Sequence, residues 1–317
     1  MKKFYIAAAL FAAVNFSAAC GNNAEVNNNS AEINSESKIF AEIQDDAGNK
    51  IILNKKPEKV VVTSASFLEP LHELGVNIAG RPDSKNNTPD WAKEIPSIGK
   101  VYQVDVERVL SCSPDLVIIN KGMNEKLIEV LKENKIPVLV MDMKTYDEVK
   151  NSVKIFSKLS GEENKGEEII KKMDDEIKNI LDKVPHEKKR VAILHSTAQG
   201  LSVQLDGSIA GNIVKMFGWE NVASGMIPLE KNPDTAPYSM ETLAEQNPEI
   251  IFVTSMGNSE ELKKSMQDTI NSNAAWQTIE AVKNNKIYFL PQNLFLLSPG
   301  LNYPEAVKFI AEETLKN

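Results

Sequence analysis

The stretch Asp105-Val-Glu-Arg-Val-Leu-Ser-Cys-Ser-Pro-Asp-Leu-Val-Ile-Ile119 contains the pattern that decides the fold. It begins with a helix-capping residue and an acid in the first turn, continues as a short amphipathic segment, and reaches a proline, an acid and an apolar run. This order predicts a helix, a break and a buried strand. The same pattern returns in register 134 positions later as Ser239-Met-Glu-Thr-Leu-Ala-Glu-Gln-Asn-Pro-Glu-Ile-Ile-Phe-Val253. A chain that repeats such a unit is expected to contain two related lobes.

Other segments of the first half also have counterparts in the second half, in the same order. Residues 59–62 resemble residues 190–194, residues 74–79 resemble 217–223, and residues 134–139 resemble 285–290. Apolar strands alternate with helical patterns in both halves, which predicts a parallel sheet covered by helices on both faces in each lobe.

A long helical pattern without a strand signal lies between the two halves, over residues 146–184. Apolar residues recur at helical spacing from about Glu162 to Lys183, which predicts a helix roughly 30 Å long at 1.5 Å per residue. The predicted fold class is therefore α/β, with two similar lobes that have parallel-sheet cores and are joined by one long bridging helix.

Two local predictions concern the first lobe. Alternating apolar residues around a turn at residues 46–49 predict a β-hairpin over residues 40–53. Buried strands are predicted at residues 60–62 and 76–79, and Gly80-Arg-Pro82 is predicted to be a turn.

Length and composition restrict the function. The chain has 317 residues, enough for two domains, and a formal charge of −8, which argues against a nucleic-acid partner. Its only cysteines, Cys20 and Cys112, are too few for a disulfide scaffold or a cysteine metal site. The sequence lacks the common nucleotide-binding, hydrolase and zinc-protease motifs. An exported hydrolase would have to rely on Ser196 beside His195, and it stays open as a remote alternative.

The N-terminus has the pattern of an exported chain. Residues 1–19 combine two lysines with a short apolar run, which predicts a signal peptide rather than a membrane span. Cys20 follows small residues and resembles the lipidated cysteine of the bacterial lipobox, although Ser17 stands where leucine is usual. Residues 20–38 are polar and predict a flexible tether. The remaining predicted segments are an N-terminal lobe at 39–145, the bridging segment at 146–184 and a C-terminal lobe at 185–317.

The hairpin, the exported N-terminus, the two lobes and the bridging helix together resemble the class III substrate-binding proteins of ABC importers. That family collects ferric siderophores, haem and cobalamin, and the resemblance covers residue 40 to the C-terminus. Within it, the haem-binding lipoproteins of staphylococci and streptococci are most similar. The motifs that carry this similarity are residues 78–82, 95–99, 211–215, 220–222 and 281–288, and most specifically Leu294-Phe-Leu-Leu-Ser-Pro-Gly-Leu-Asn-Tyr-Pro-Glu-Ala306.

The resemblance implies a receptor rather than an enzyme. Such a monomer, lipid-anchored at the cell surface or in the periplasm, would capture an iron complex between its lobes and deliver it to a dimeric ABC permease with its ATPase. It would have no cofactor of its own, since haem or another iron complex is the transported ligand. Haem is the expected ligand, and a ferric siderophore or cobalamin is the alternative.

Glu107 and Glu241 occupy matching places in the first turns of the two repeated helices. One interpretation is local, since a carboxylate there complements the helix dipole by about 0.3–1 kcal/mol. The other is implied by the resemblance: one glutamate per lobe forms salt bridges with arginines on the two permease subunits.

The ligand is expected between the lobes, at the carboxyl ends of the strands. Arg81 is the candidate partner for the anionic groups of a siderophore. The other candidate ligand-binding residues are Ser64, Tyr102, His195, Met256 and Phe295.

Tyr102 and Met256 are the candidate ligands to a haem iron. The resemblance implies a methionine and a histidine at these two places, whereas this chain has a tyrosine and a methionine, both of which can bind haem iron. The alternative is that both residues only line an apolar cleft. His195, at the end of the apolar run 191–194, is an additional candidate that the relatives do not supply.

Overall fold

The computed structural model describes residues 39–84, 87–197, 200–230, 232–255 and 259–316. The predicted signal peptide, the tether with Cys20 and the candidate ligand Met256 lie outside these residues. Within them, no helix combines the length and apolar character needed to cross a membrane.

The described part begins with the predicted hairpin, formed by antiparallel strands β1 (Ala41–Gln44) and β2 (Lys50–Leu53). The Asp45 carboxylate closes the turn by accepting hydrogen bonds from the backbone N–H of Ala47 at 3.0 Å and of Asn49 at 2.7 Å. It also accepts from the backbone N–H of Val140 at 3.0 Å. One buried acid therefore shapes the hairpin and fastens it to the first sheet.

The first sheet has the strand order β6-β5-β4-β3-β7-β8, and all neighbours are parallel except β5 and β6. We call this sheet and its helices the N-lobe. Its elements are β3 (Val60–Val62), α1 (Leu68–Glu73), β4 (Ile78–Asp83), β5 (Ser97–Lys100), β6 (Gln103–Val104), α2 (Val106–Ser111), β7 (Leu116–Asn120), α3 (Leu127–Glu133) and β8 (Val138–Met141), with 3₁₀ turns at Ala65–Phe67 and Asp90–Ala92.

Two helices follow, α4 (Tyr146–Ser160) and α5 (Glu163–Leu181), and lead into the second sheet. That sheet has the order β12-β10-β9-β13-β14, with β11 beside β9, and β10 runs antiparallel to both neighbours. We call it and its helices the C-lobe. Its elements are β9 (Arg190–Thr197), β10 (Gly200–Gln204), α6 (Ile209–Met216), β11 (Glu220–Asn221), β12 (Thr235–Pro237), α7 (Met240–Gln246), β13 (Ile250–Ser255), α8 (Ser259–Ser272), α9 (Glu280–Lys283), β14 (Ile287–Phe289) and α10 (Gln292–Phe295), before the C-terminal α11 (Tyr303–Leu315).

The repeated pattern is present in both lobes. The Asp105 carboxylate caps α2 by accepting from the backbone N–H of Glu107 at 2.9 Å, and the Ser239 hydroxyl caps α7 by accepting from that of Thr242 at 3.2 Å. The acid after each proline, Asp115 or Glu249, forms hydrogen bonds with the backbone at the start of the first strand of its own sheet.

These hydrogen bonds have the same geometry in both lobes. The Asp115 carboxylate accepts from the backbone N–H of Lys59 at 2.9 Å, and the backbone N–H of Asp115 donates to the Lys59 carbonyl at 3.1 Å. In the C-lobe, Glu249 makes the same reciprocal pair with Arg190, at 2.8 and 2.9 Å. The predicted fold class, with two similar lobes on parallel sheets, is confirmed.

The turn predicted at Gly80-Arg-Pro82 is wrong, because β4 continues through it to Asp83. Gly80 lets the backbone of β4 pack closely against neighbouring side chains. A Cβ at this position would lie 2.9 Å from the Cys112 sulfur and 3.1 Å from side-chain carbons of Ile98 and Val61. A shift in the pairing of β4 with β5 accommodates the proline.

The bridging helix is present as α5, which is about 28 Å long at 1.5 Å per residue. It does not stand alone, because α4 packs against it antiparallel: Gly166 of α5 lies against Ser157, and the Tyr146 hydroxyl donates to Asp174 at 2.8 Å. Gly161, with φ of +72°, ends α4 and lets the chain turn back. The link between the lobes is therefore a helical pair, and the lobe limits at 145 and 185 remain predictions.

The largest apolar cluster contains residues of both sheets together with α4, α5 and α11. Its members include Val62 of β3, Phe156 of α4, Ile193 of β9, Phe252 of β13 and Val307 of α11, all of them fully buried. Separate clusters cover the other face of each sheet. The two lobes therefore share one core on their helical side, which opposes wide opening.

Gly166→Ala is expected to lower the free energy of unfolding by about 1–3 kcal/mol, because the added methyl group would lie 2.6 Å from the Ser157 Cβ. Urea unfolding measures this change, and adding Ser157→Gly should remove most of the clash. The exposed Lys165→Ala on the same helix is the control and should change little. A stabilised Gly166→Ala variant, as helix propensity alone would give, contradicts this packing.

Candidate functional site

A cavity of about 690 Å³ lies between the carboxyl edges of the two sheets, where open α/β sheets bind ligands. Its volume falls within the range of small-molecule sites. The N-lobe wall is made by residues that follow β3, β7 and β8. The C-lobe wall is made by β9, β10, the start of α6 and the loop before β12, and residues 295–298 complete the lining.

Three of the predicted ligand-binding residues line this cavity: Ser64, His195 and Phe295. Met123, in the loop after β7, lines it as well. These residues therefore line the cavity at the place where the rule for the carboxyl ends of strands predicts a ligand site.

Arg81 does not line the cavity. It is only 8% exposed, and its guanidinium donates to the carbonyls of Ala92 at 2.7 Å and Lys93 at 3.0 Å. A further N–H donates to the Asp83 carboxylate at 3.1 Å. Arg81 therefore holds the loop between β4 and β5 in place, and the prediction that it contacts the ligand is withdrawn.

Tyr102 lies at the rim, on the turn between β5 and β6, and is 71% exposed. The side-chain amide of Asn124 donates to the Val101 carbonyl at 2.7 Å, which ties this turn to the loop in which Met123 and Glu125 line the cavity. The structure thus places Tyr102 beside the cavity without making it part of the wall.

A segment of the C-lobe, residues 295–302, is fastened to the N-lobe at the cavity. The Ser66 hydroxyl donates to the Ser298 carbonyl at 2.9 Å, and the Ser298 hydroxyl donates to the Met143 carbonyl. A Cβ at Gly300 would lie 3.1 Å from the Ser66 carbonyl oxygen, so only glycine fits this approach at its φ of +56°. These contacts hold residues 298–300 against the N-lobe wall of the cavity.

An ion pair joins the lobes across the cavity. The Lys144 ammonium lies 2.6 Å from the Asp234 carboxylate of the C-lobe loop and 3.4 Å from that of Asp142. Burial opposes the charge of Lys144, but the hydrogen bond to Asp234 and the charges of both acids outweigh it and raise the lysine pKa. The sequence analysis missed this pair, although Asp142 and Lys144 directly follow a buried strand. Asp234 carries no such signal.

His195 lies inside β9 rather than after its end. Its Nδ1 is 2.9 Å from the Thr254 hydroxyl, on the neighbouring strand β13 in the paired register position. Burial lowers the pKa of His195, so its imidazole is neutral at physiological pH. A neutral imidazole on a cavity wall is a good ligand for a metal centre.

Glu107 and Glu241 are both exposed, and the described residues offer neither of them a salt-bridge partner. Each lies in the first turn of a helix that runs back to the start of a parallel strand, α2 to β7 and α7 to β13. Such a helix begins at the carboxyl edge of its sheet. The two glutamates therefore lie at the cavity side of their lobes, one on each.

Residues 60–294 match the family described as "Periplasmic binding protein". The chain belongs to this family, whose members bind substrates for transport and are not enzymes. It is similar to the Fe(3+)-citrate-binding protein YfmC of Bacillus subtilis, with 25% identity over 88% of this chain and 87% of that one. It is also similar to the high-affinity heme uptake system protein IsdE of Staphylococcus aureus, with 27% identity over 78% of this chain and 84% of that one.

Among solved structures, an ABC transporter substrate-binding protein from Listeria monocytogenes has the same fold. The TM-score is 0.73 at 24% identity, over 83% of this chain and 100% of that chain. The resemblance drawn from the sequence is confirmed at the level of the family.

Lys144→Met is expected to lower the free energy of unfolding by about 1 kcal/mol at pH 7, a modest value because the lysine side chain remains 34% exposed. The pKa of Lys144 is raised above the ordinary 10.5, so the ion pair stabilises the fold fully below that pH. The stabilisation is lost as the pH rises through the raised pKa, and the difference between wild type and variant should shrink there.

Urea unfolding at a series of pH values measures this difference. Lys171→Met is the matched control, because the Lys171–Asp175 pair lies on the exposed face of α5 and should contribute little. A Lys144→Met variant as stable as the wild type at pH 7 would contradict a role for the ion pair.

Proposed function

We propose that the mature protein is an extracytoplasmic receptor of an ABC importer, which captures an iron complex, foremost haem, in the cavity between its lobes. The observation that carries this proposal is the preformed cavity of about 690 Å³ with an imidazole, His195, on its wall. The heme uptake protein IsdE and the Fe(3+)-citrate-binding protein YfmC among the relatives support an iron complex as the ligand class.

The charge of the cavity favours haem over a strongly anionic complex. Its described lining contains four carboxylates, Glu125, Asp142, Glu148 and Asp234, against two lysines. Both lysines are engaged, Lys144 by the two aspartates and the remaining Lys121 by the Asp46 carbonyl at 2.9 Å. Haem presents two apolar faces, which suit Phe295 and its neighbours, and carries its carboxylates at one edge.

A ferric siderophore or cobalamin is the second candidate, and the relationship to YfmC favours ferric citrate within it. Ferric citrate is a highly charged anion and would need free cationic groups, which the described lining does not supply. The experiment below therefore includes ferric citrate as a competitor.

For the haem iron we propose Tyr102 as the ligand from the N-lobe rim. One of two C-lobe residues, Met256 or His195, would serve from the opposite lobe. Tyrosine, methionine and histidine all occur as axial ligands of haem. The protein itself would hold no cofactor, and the haem is its cargo.

The remaining parts of the proposal concern the membrane and the permease. Residues 1–19 would be removed, Cys20 would be lipidated, and residues 20–38 would tether a monomeric receptor to the membrane. A dimeric permease with its ATPase would receive the ligand.

Cys20→Ala should move the protein from the membrane fraction to the soluble fraction, and continued membrane attachment would exclude the lipid anchor.

Titration of the wild-type protein with hemin should give a saturable Soret shift at one hemin per chain, undiminished by excess ferric citrate. Tyr102→Phe should lower the affinity by about tenfold, because it removes an iron ligand. Tyr238→Phe is the matched control: this half-buried tyrosine donates to the Met240 sulfur, and it is not among the residues that line the cavity. Absence of any Soret shift in the wild type would exclude haem and leave the family assignment intact.

Reversing both docking charges, with Glu107→Lys and Glu241→Lys, should abolish haem uptake by cells while hemin binding stays unchanged. The reason is that arginines of the permease would then face like charges. Glu133→Lys with Glu245→Lys is the control, because these acids are also exposed, one on each lobe, but lie at the ends of α3 and α7 and away from the helix starts. If uptake survives the first pair of reversals, the two glutamates serve only the helix dipoles.

A further inference from the structure

His195 is held between a strand neighbour and the cavity. Its Nδ1 contacts the Thr254 hydroxyl at 2.9 Å, and no other hydrogen bond to its ring comes from the described residues. The side chain lines the cavity and is half-buried. A ring nitrogen that faces a cavity without a protein partner is available to whatever fills that cavity.

The hydrogen bonds of Thr254 indicate which of the two ring nitrogens of His195 is free to bind a ligand. Thr254 is 1% exposed, and its hydroxyl donates its single proton to the Leu194 carbonyl at 3.2 Å. The hydroxyl oxygen can then only accept from His195, so Nδ1 carries the ring proton. Nε2 is left with a free lone pair, the form in which histidine binds metals.

We propose that Nε2 of His195 is the C-lobe ligand to the iron of the bound complex, and that Thr254 is a positioning residue that keeps Nδ1 protonated. This inference rests on the proposed function and decides between the two C-lobe candidates in favour of His195 over Met256. On binding, the Nε2 lone pair forms a bond to the iron and displaces a water from it. No proton is released from the ring, which keeps its hydrogen on Nδ1 in the bond to Thr254.

The position is suited to this role for two further reasons. β9 and β13 are neighbouring strands in the middle of the C-lobe sheet, so backbone pairing on both sides fixes the ring and its partner. A ligand on a strand is held more precisely than one on a loop. Met123 and Tyr102 come from the opposite lobe, so a planar complex between the lobes would have donors on both of its sides.

The test is the visible spectrum and affinity of the hemin complex in His195→Ala and Met256→Ala. We expect His195→Ala to shift the Soret band and to lower the affinity at least about tenfold, and free imidazole to restore the wild-type band by occupying the vacated place. Met256→Ala should leave the band unchanged. His72→Ala is the histidine control, since His72 stacks on Trp91 with ring centroids 3.8 Å apart and does not line the cavity.

Thr254 provides a second and independent test. Thr254→Val keeps the shape of the side chain but removes the acceptor, and it should weaken hemin binding by about 10-fold with a changed Soret band. Thr254→Ser keeps the hydroxyl and should retain the wild-type band, which a merely structural role would not predict. Circular dichroism and thermal unfolding establish that each variant is folded.

The outcomes separate the inference from the proposed function. If the wild type binds hemin and His195→Ala gives the same spectrum and affinity, His195 is not the ligand, and the haem function stands. A band shifted in Met256→Ala instead would assign the ligand to Met256. If the wild type gives no Soret change, the haem function fails and the assignment of His195 fails with it.

Discussion

The apolar cluster that contains Val62 and Phe252 from the two sheets, together with Phe156 and Val307 from the helices between them, holds the lobes at a fixed separation. Its side chains are fully buried, and moving the lobes apart would return them to water at about 25 cal/mol per Å² of apolar surface. Polar contacts reinforce the same boundary: Asn212 of α6 accepts from the Tyr303 hydroxyl at 2.8 Å and from the Tyr146 backbone N–H at 3.0 Å. The expected motion on binding is therefore a small rocking of the lobes.

The cavity owes its form to this shared core. Because the lobes cannot separate freely, the space between their sheet edges exists before a ligand arrives, and binding does not have to order it. Polar groups at the edges complete the site: the Lys144–Asp234 pair crosses it, and the Thr254 hydroxyl orients His195. The same sheet edges bring Glu107 and Glu241 to the cavity side of the two lobes.

The repeat was predictable from the sequence, because caps, prolines and buried strands have local signals that do not depend on tertiary contacts. Its register was predictable only in part. The pairings Val117 with Val138 and Ile251 with Ile287 show that the match of residues 134–139 with 285–290 is out of step by two residues, because Val138 corresponds to Ile287 and not to Phe289. Such a shift follows from strand pairing, which periodicity alone does not reveal.

The site was predictable to the level of the strand ends and no further. His195, Ser64 and Phe295 lie near or after strand ends and line the cavity, as expected. Arg81 does not, because the sequence cannot distinguish an arginine whose guanidinium is buried against backbone carbonyls from one that is free to bind a ligand. Asp234 could not have been found, since its place beside Lys144 is set by the packing of two lobes and not by any local pattern.

Amide hydrogen exchange on the free and hemin-bound protein tests the central claim, that a shared core fixes a preformed cavity, most directly. The account predicts that α5 and α11 exchange only through global unfolding in both states, and that hemin adds protection chiefly at the cavity loops, residues 120–125 and 232–235. Fast exchange of α5 in the free protein, with strong protection on hemin binding, would mean that the lobes separate and close around their ligand, and would contradict it.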